Sequence, residues 1–388
     1  MTPPAAPAPA RPPRAAPASE HHPGTVLRPF PSGTRLPTQW ACWLDSACAH
    51  LHPAGRVVDM GAPAAHGAHA AHEAQAATTS KRAGTASFSA RLVAQGASGA
   101  LTLPGALETG EPTDLAWHDA SQAPALARSV AHHRRPLNLP RVPLGSPSLK
   151  ALTAAFKGRG WVRVRAAHGS PCIELDAGWT QPWQKFNTGR QSDFRRAQRR
   201  AEEAGALRFE VHTPSPGPEL ERLLDEAYEV ESRSWKGDGG TALALDPLLG
   251  PFYRRLAHHA SQAGLLRLCF LRIAGQAAAM QLALQGEGRF WLLKIGYDAA
   301  FARSSPGQLL MLHTIGHAAS QGLASYEMLG NTSAWTAEWT RTLRPFVAVQ
   351  AYPASWAGAR ALCTDAWRAA QARWQARAGS RPGQDVAA

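Results

Sequence analysis

Three apolar segments separated by tight turns constrain the fold of this chain more than any other feature. LLRLCFLRI (265–273), AAAMQLALQ (277–285) and RFWLLKIGY (289–297) each have the length and apolar content of a β-strand. Only the glycine-containing segments 274–276 and 286–288 connect them. Connections this short join antiparallel neighbours, so the sequence predicts an antiparallel three-stranded meander.

A helix and a further strand follow the meander. QLLMLHTIGHAASQG (308–322) has helical spacing, and LASYEMLG (323–330) has the pattern of a strand. Because a helix between two strands is a crossover connection, we expect this last strand to lie parallel to the third strand of the meander. Helices are also predicted at 188–205, 219–235, 247–264 and 335–343, and a terminal strand at 345–353.

The first half of the chain has a weaker α/β pattern. Residues 1–38 are rich in proline and alanine without an apolar period, which predicts an extended, mobile tail. Short helices and strands are expected from Trp40 onward, and the prolines of PLNLPRVPL (136–144) limit it to an edge strand at best. Two separate extended pieces are expected at 161–167 and 172–176.

Length, cysteine content and hydropathy narrow the class of protein. At about 150 residues per domain, the 388 residues form two domains or one large one. The five cysteines are scattered, so they give neither a disulfide framework nor a metal knuckle, and they favour a reducing, cytoplasmic setting. The first residues lack the apolar region of a secretory signal, and no apolar run is long enough for a membrane span.

The chain carries a formal net charge of +13, from 41 basic and 28 acidic residues. Such a field attracts anions, among them nucleic acids, anionic membranes and polyphosphate cofactors. Most of the basic residues are arginines, a bias that a GC-rich genome also produces, and we favour this compositional reading.

Three histidines recur at a spacing of three residues in an alanine- and glycine-rich stretch, at His66, His69 and His72. Imidazoles on one helical face can bind zinc. No cysteine or carboxylate pair completes a ligand shell here, so we favour a flexible surface loop over residues 61–87 and predict no metal.

The sharpest local motif is the run Ser304 to Gln308, SSPGQ. Ser305 fits an N-cap, Pro306 the first helical position, and Gln308 a capping box. Gly307 has no side chain, so a ligand can approach the backbone of the first turn. A helix N-terminus with free N–H groups suits a pyrophosphate, and its place after the meander puts it where ligands enter α/β folds. The alternative is a well-capped helix without a ligand.

This order of elements resembles the GNAT acyltransferase superfamily. More closely, the chain is similar to the CelD/BioF-like acetyltransferases, which are related to the Fem-type peptidyltransferases with two tandem GNAT-like modules. The resemblance is carried by FNTGRQSDFRRAQRRAEEAG (186–205), SRSWKG (232–237), AGQAAAMQLAL (274–284), LLKIGYDAAFARSSPGQLLMLHTIGHAASQGLASYEMLG (292–330), Trp335 and Trp339. In place of the superfamily's Gln/Arg-x-x-Gly-x-Gly/Ala turn, the sequence has Arg303-Ser-Ser-Pro-Gly-Gln.

The resemblance implies an α/β (α+β) GNAT-like fold with two tandem modules, each with a mixed, largely antiparallel sheet flanked by helices. The expected divisions are a disordered tail (1–38), an N-terminal module (39–185), an acyltransferase module (186–353), and a basic C-terminal helix and tail (354–388). The second module is the one that the resemblance covers best.

The resemblance also implies an activity. The expected enzyme is an N-acyltransferase that moves an acetyl or other acyl group from acyl-CoA to an amine of a sugar, peptide or small metabolite, with no metal and no covalent enzyme intermediate. Surface polysaccharide biosynthesis is one setting for a sugar amine. Two alternatives stay open: an aminoacyl-tRNA-dependent Fem-type peptidyltransferase, and an inactive GNAT-like binding scaffold.

Candidate site residues follow from these elements. Ser304, Ser305, Pro306, Gly307 and Gln308 are expected to bind the cofactor. Glu327, at the ligand end of the parallel strand, Asp298 and Tyr297 are candidates for proton transfer. Trp235 and Lys236 are candidates for acceptor binding by stacking and charge, with Lys294 nearby. For each of these the alternative is a structural strand end or helix cap.

Two further features are expected to be structural. Arg195, Arg196, Arg199 and Arg200 can contact phosphates, but glutamates follow at once and no aromatic residues interleave them. A solvated helix face is therefore favoured, and tRNA is a partner only under the peptidyltransferase alternative. Cys269 falls within an apolar strand, where we expect a core residue and not a nucleophile.

Overall fold

The computed structural model describes residues 24–53, 57–60, 90–95, 99–234 and 242–379. Strands in these ranges are β1 Val26–Leu27, β2 Val57–Met60, β3 Ala90–Gln95, β4 Ala100–Thr102, β5 Leu137–Pro143, β6 Gly160–Glu174, β7 Leu207–His212, β8 Leu266–Ile273, β9 Gln276–Gly286, β10 Arg289–Tyr297, β11 Ser325–Glu327 and β12 Thr342–Pro353. Helices are α1 Ala41–His50, α2 Ala106–Thr109, α3 Ala123–His132, α4 Pro147–Phe156, α5 Thr188–Ala204, α6 Pro218–Ser232, α7 Leu249–Gln262, α8 Pro306–Ser320, α9 Ala334–Ala337 and α10 Trp356–Gly379.

The strands form one mixed sheet in the order β2-β3-β4-β5-β12-β6-β11-β10-β9-β8-β7, with β1 beside β12. The predicted meander is confirmed as β8, β9 and β10, and β7 adds a fourth antiparallel strand at its outer edge. β11 lies parallel to β10, as the crossover through α8 predicts. The mixed α/β class with a largely antiparallel sheet is therefore confirmed.

The two halves of the chain repeat one order of elements and exchange their last strands. In the first half, β4 and β5 are parallel with α3 between them, and a long strand, β6, follows. In the second half, β10 and β11 are parallel with α8 between them, and β12 follows. However, β12 pairs with β5 and β6 pairs with β11, while β6 and β12 pair with each other. Each half therefore contributes a strand to the other's sheet.

Apolar side chains cover both faces of the meander. α1, α6 and α7 pack on one face and α5 and α8 on the other, so β9 is buried along most of its length. This explains why AAAMQLALQ has no polar alternation. A third cluster holds the first half together around Trp117, Leu126 and Leu152.

Several elements of the first half differ from expectation. Residues 160–174 form one strand instead of two, because β6 pairs first with β12 and then with β11. β5 is not an edge strand, since it pairs with β4 and β12. Its register with β12 shifts between Val347 and Val349, opposite Pro140, and this irregularity accommodates a proline without an N–H.

The predicted mobile tail is too long. Val26 and Leu27 pair in parallel with Thr342 and Leu343, and the side chains of Phe30 and Leu36 are buried in the core. Residues 24–38 are thus part of the fold. Residues 1–23 and the histidines His66, His69 and His72 lie outside the described residues.

Candidate functional site

A cavity of about 540 Å³ lies between the end of β10, the start of α8 and the segment around α9. The β10–β11 ladder covers only three residue pairs, Arg289 to Trp291 against Ser325 to Glu327. β10 then continues to Tyr297, so the two strands part and the cavity opens at this fork. Its lining comprises Met280, Gln281, Ile295, Gly296, Tyr297, Ala302, Ser305, Pro306, Gly307, Gln308, Leu310, Met311, Ser333, Ala334, Trp335, Glu338 and Trp339.

The turn into α8 forms one wall of the cavity. Ser305 has φ 45° and ψ 51°, and Pro306 is the first helical residue. The N–H groups of Gln308 and Leu309 both donate to the Ser305 carbonyl, at 3.0 and 3.3 Å. The Gly307 N–H makes no hydrogen bond within the part of the chain that the structure describes. A Cβ built on Gly307 would lie 3.8 Å from Tyr297 Cδ1, so packing alone does not require glycine here.

The predicted capping box is wrong. Ser305 occupies the N-cap position but makes no side-chain cap, because its backbone is left-handed and not extended. Gln308 Nε2 instead donates to Glu338 Oε2 at 3.2 Å, across the mouth of the cavity. Of the five residues expected to bind a cofactor, Ser305, Pro306, Gly307 and Gln308 line the cavity, and Ser304 is buried behind them.

Guanidinium groups surround this turn. Arg190 Nη2 donates to Glu338 Oε2 at 2.6 Å and its guanidinium stacks 4.8 Å from the Phe194 ring centroid. Arg190 Nε is buried and has no partner among the described residues. Arg200 Nη1 donates to the Arg303 carbonyl at 3.2 Å, which brings a second arginine of α5 to the start of α8. Glu338 balances the charge of Arg190, so Arg200 and the N-terminus of α8 are the groups that favour an anion at this turn.

The remainder of the arginine cluster on α5 is solvated. Arg196 pairs with Asp193, and Arg195 Nη2 donates to Gln191 Oε1 at 3.3 Å. These side chains lie on the exposed face of α5.

Of the residues expected to transfer protons, Tyr297 lines the cavity and Asp298 does not. Asp298 Oδ1 accepts a hydrogen bond from the Ala300 N–H at 2.9 Å and caps the 3-10 segment Ala299–Ser304. Its Oδ2 lies 3.4 Å from Arg233 Nη1. Asp298 therefore holds the turn that leads into α8.

Glu327 is not brought to the cavity, contrary to its expected position. Its side chain is 1% exposed. Arg344 donates to it from Nε at 3.0 Å and from Nη2 at 2.8 Å, and Ser325 Oγ donates at 2.6 Å. Because side chains alternate along a strand, Tyr326 points the other way and reaches Gln281 Oε1, under the cavity, at 3.2 Å. Burial raises the pKa of Tyr326.

Of the three residues expected to bind the acceptor, the structure describes only Lys294. Lys294 lies on the face of β10 that packs against α6 and α7, with Nζ 4.5 Å from the Tyr253 ring centroid. Trp235 and Lys236 lie outside the described residues.

A second polar cluster, which no local sequence pattern indicates, lies on the face of β10 that packs against α6 and α7. Glu111, 6% exposed, follows α2 in the first half and accepts a hydrogen bond from the Gly330 N–H at 3.3 Å. Burial raises the pKa of Glu111, while the charges of Arg141 and Lys294 lower it. Tyr253 is fully buried, and its hydroxyl has no partner within the described ranges. A carboxylate, an ammonium and a phenol thus meet beside β10, on the opposite face from the cavity.

No local pattern marks Glu111 as functional. It stands in a loop, GEPTD, more than one hundred and eighty residues before Lys294. Only the association of the two halves brings the two side chains together. That burial raises the pKa of Glu111 even beside the charges of Arg141 and Lys294 is apparent only from the structure.

The buried thiols do not supply a nucleophile. Cys42 and Cys269 are buried, and burial raises the pKa of each to about 12. Cys269 is a core residue, as predicted. Across the described ranges, no group of three histidine, cysteine, aspartate or glutamate side chains is placed to hold a metal ion, and no helix has the length and apolar content to cross a membrane.

One family model and several solved structures are similar to this chain. Residues 189–337 match the acetyltransferase (GNAT) domain family. Among solved structures, FemX is similar at 10% identity over 83% of this chain and 92% of that chain, with a TM-score of 0.49. A conserved protein of unknown function from Bacteroides thetaiotaomicron is similar at 12% identity over 67% and 81%, with a TM-score of 0.43.

A tandem GNAT protein from the clavulanic acid biosynthesis pathway is similar at 12% identity over 71% of this chain and 81% of that chain, with a TM-score of 0.34. No curated protein matches the chain significantly. The matched segment, 189–337, contains the meander, the turn into α8 and the cavity. Residues 189–337 therefore match the GNAT domain family in the part of the chain whose sequence motifs indicated it.

Proposed function

We propose that this protein is an N-acyltransferase that takes its acyl group from acyl-CoA and passes it to an amine. The observation that carries this proposal is the cavity at the fork of β10 and β11, which Gly307 and the first turn of α8 line. At about 540 Å³, the cavity falls within the usual range for a small-molecule site.

The turn into α8 suits the diphosphate of the carrier. The Gly307 N–H and the positive end of the helix dipole attract an anion, with Arg200 and Arg303 close by. The remaining lining is largely apolar, with Ile295, Trp335 and Trp339 on its walls. Such walls suit the uncharged arm of CoA, which would lead the thioester to the fork.

The reaction needs no covalent enzyme intermediate. The amine nitrogen attacks the thioester carbon, the C–S bond breaks, and the CoA thiolate leaves while the new ammonium loses a proton. We assign proton donation to the leaving thiolate to Tyr297, which lines the cavity. We assign proton removal to Glu111, because its carboxylate accepts a hydrogen bond from Gly330, just beyond the end of β11 where the fork opens, and because burial raises its pKa. Lys294 and Tyr253 lie beside it and would orient the acceptor.

Calorimetric titration with CoA and acetyl-CoA tests the donor. We expect the wild-type protein and Gly307→Ala to bind both, because one Cβ fits at 3.8 Å from Tyr297. Gly307→Leu places a larger side chain in the mouth of the cavity and should weaken binding at least about tenfold. Absence of heat from folded wild-type protein at millimolar ligand would remove the acyl-CoA proposal.

Incubation with labelled acetyl-CoA and a panel of sugar, peptide and small-molecule amines tests transfer. Label on an amine supports an enzyme, and tight CoA binding without transfer to any amine would favour the scaffold alternative.

The peptidyltransferase alternative rests on the exposed arginines of α5. It predicts tRNA binding that weakens steeply with salt. Gel shifts that do not change when Arg195, Arg196 and Arg199 are replaced by glutamine would reject it.

A further inference from the structure

Three exposed tryptophans lie along one face of α10. Trp356, Trp367 and Trp374 are 93%, 64% and 75% exposed. At 3.6 residues per turn, their spacing places them within about 20° of a single line that extends about 27 Å. Large aromatic side chains are seldom left in water to this extent, and several exposed apolar side chains on one face indicate an interaction site. We call these three residues the tryptophan face.

The opposite side of α10 is fixed to the sheet. Asp365 lies half a turn of the helical wheel away from Trp356. It accepts hydrogen bonds from Tyr352 Oη at 2.8 Å and Gln350 Nε2 at 3.1 Å, both on β12. Ala361 on the same side is buried. Because these contacts set the rotation of the helix, the tryptophan face is held toward solvent.

The surroundings of the tryptophan face are basic. The sequence of α10 contains four arginines, at positions 360, 368, 373 and 377, and a single acidic residue, Asp365. Arg163 and Arg165 of β6 lie close enough to the Tyr352 hydroxyl to interact with it electrostatically. A further tryptophan, Trp161, is 51% exposed and stacks on the Tyr352 ring at 5.6 Å.

We propose that the tryptophan face binds an anionic lipid surface, with α10 lying in the plane of the membrane interface. Indole rings partition to the headgroup level of a bilayer, and arginines beside them are attracted to anionic lipids. This charge complementarity favours a lipid surface over a second copy of the chain, which would bring the same positive charges together. The proposal is independent of the acyl-transfer proposal, because it concerns a different surface.

Co-sedimentation of the full-length protein with vesicles tests the proposal. We expect binding to vesicles of equal phosphatidylcholine and phosphatidylglycerol, and little binding to phosphatidylcholine alone. The combined change Trp356→Ala, Trp367→Ala and Trp374→Ala should weaken binding about tenfold or more. Each of Arg360→Gln, Arg368→Gln and Arg373→Gln should weaken it about fivefold. Trp183→Ala is the matched control, since Trp183 is 40% exposed but lies away from α10, and it should bind as the wild type does.

Circular dichroism is the control for folding of the triple variant. We expect its helix content to equal that of the wild type, because the three side chains are exposed. The proposal is overturned if folded wild-type protein ignores anionic vesicles, if it binds neutral vesicles equally, or if the triple variant binds like the wild type. Light scattering provides a further test. If the wild-type protein is a dimer that does not bind vesicles, and the triple variant is a monomer, the tryptophan face binds a second copy of the chain. That result would also overturn the proposal.

Discussion

Glu327 and Glu111 are both buried, yet their surroundings differ. Glu327 accepts hydrogen bonds from Arg344 Nε and Nη2 and from Ser325 Oγ, so its charge is balanced within the sheet. Glu111 accepts one long hydrogen bond from the Gly330 N–H, and burial raises its pKa. A buried carboxylate with a dedicated cation holds two strands together. One without such a partner retains affinity for a proton, which a general base requires.

Asp114, three residues after Glu111, is a third buried carboxylate, and its hydrogen-bond partners differ from those of Glu327 and Glu111. Ser146 Oγ and the Leu115 N–H donate to it at 2.5 and 2.7 Å, and these neutral donors replace a cation. Burial raises the pKa of Asp114 to about 6. The three carboxylates are all buried, and they differ in the kind of partner that each one has.

The largest effect is expected from Glu111→Gln. If Glu111 removes the proton from the acceptor amine, this variant should lower the transfer rate about 10²–10⁴-fold. Asp114→Asn is the matched control, because it neutralises a buried carboxylate of the same loop without touching Lys294. Steady-state kinetics with an accepted amine provide the measurement, and a Glu111→Gln rate equal to that of Asp114→Asn would contradict the assignment.

Glu327→Gln is expected to act on stability. Removing one member of a buried ion pair costs about 3–5 kcal/mol in the free energy of unfolding, because Arg344 loses its closest counter-charge. The surface pair of Arg35 and Glu287 offers a comparison, and Glu287→Gln should cost at most about 1 kcal/mol. Urea unfolding measures both. Unchanged stability together with lost transfer activity would instead place Glu327 in the chemistry.

The raised pKa of Asp114 predicts that the free energy of unfolding depends on pH. Its pKa is about 6 in the folded protein against an ordinary 3.8, so the folded state holds the proton more tightly. The resulting stabilisation is complete below about pH 4 and is lost as the pH rises through 6, by about 3 kcal/mol. Asp114→Asn removes this contribution. The difference in unfolding free energy between the two proteins should therefore change across this window, and a difference independent of pH would show that Asp114 does not titrate in it.

The elements that frame the cavity could be predicted because their signals are local. Apolar runs and short turns indicated β8 to β10, and Pro306 marked the first residue of α8. The crossover indicated that β11 is parallel to β10. These features depend on residues adjacent in the sequence, and the placement of Tyr297 and Gly307 around the cavity follows from them.

The partners of Glu327 and Glu111 could not be predicted because they are distant in the chain. Arg344 belongs to β12, a strand whose neighbours are β5 and β6 of the first half. Glu111 reaches Gly330 and Lys294 from the first half. Residue-type patterns contain no information about an exchange of strands between halves. The pattern therefore predicted Glu327 at the ligand end of its strand, whereas in the structure its carboxylate binds Arg344.

The strand exchange also determines the order in which strands can pair during cotranslational folding. β5 ends at Pro143, and its partner β12 begins at Thr342, so the ribosome must add a further two hundred or so residues before the two can pair. At about 5–20 residues per second, the nascent first half waits roughly 10–40 seconds with one side of β5 uncovered. β12 therefore leaves the exit tunnel long after β5 and closes the centre of the sheet.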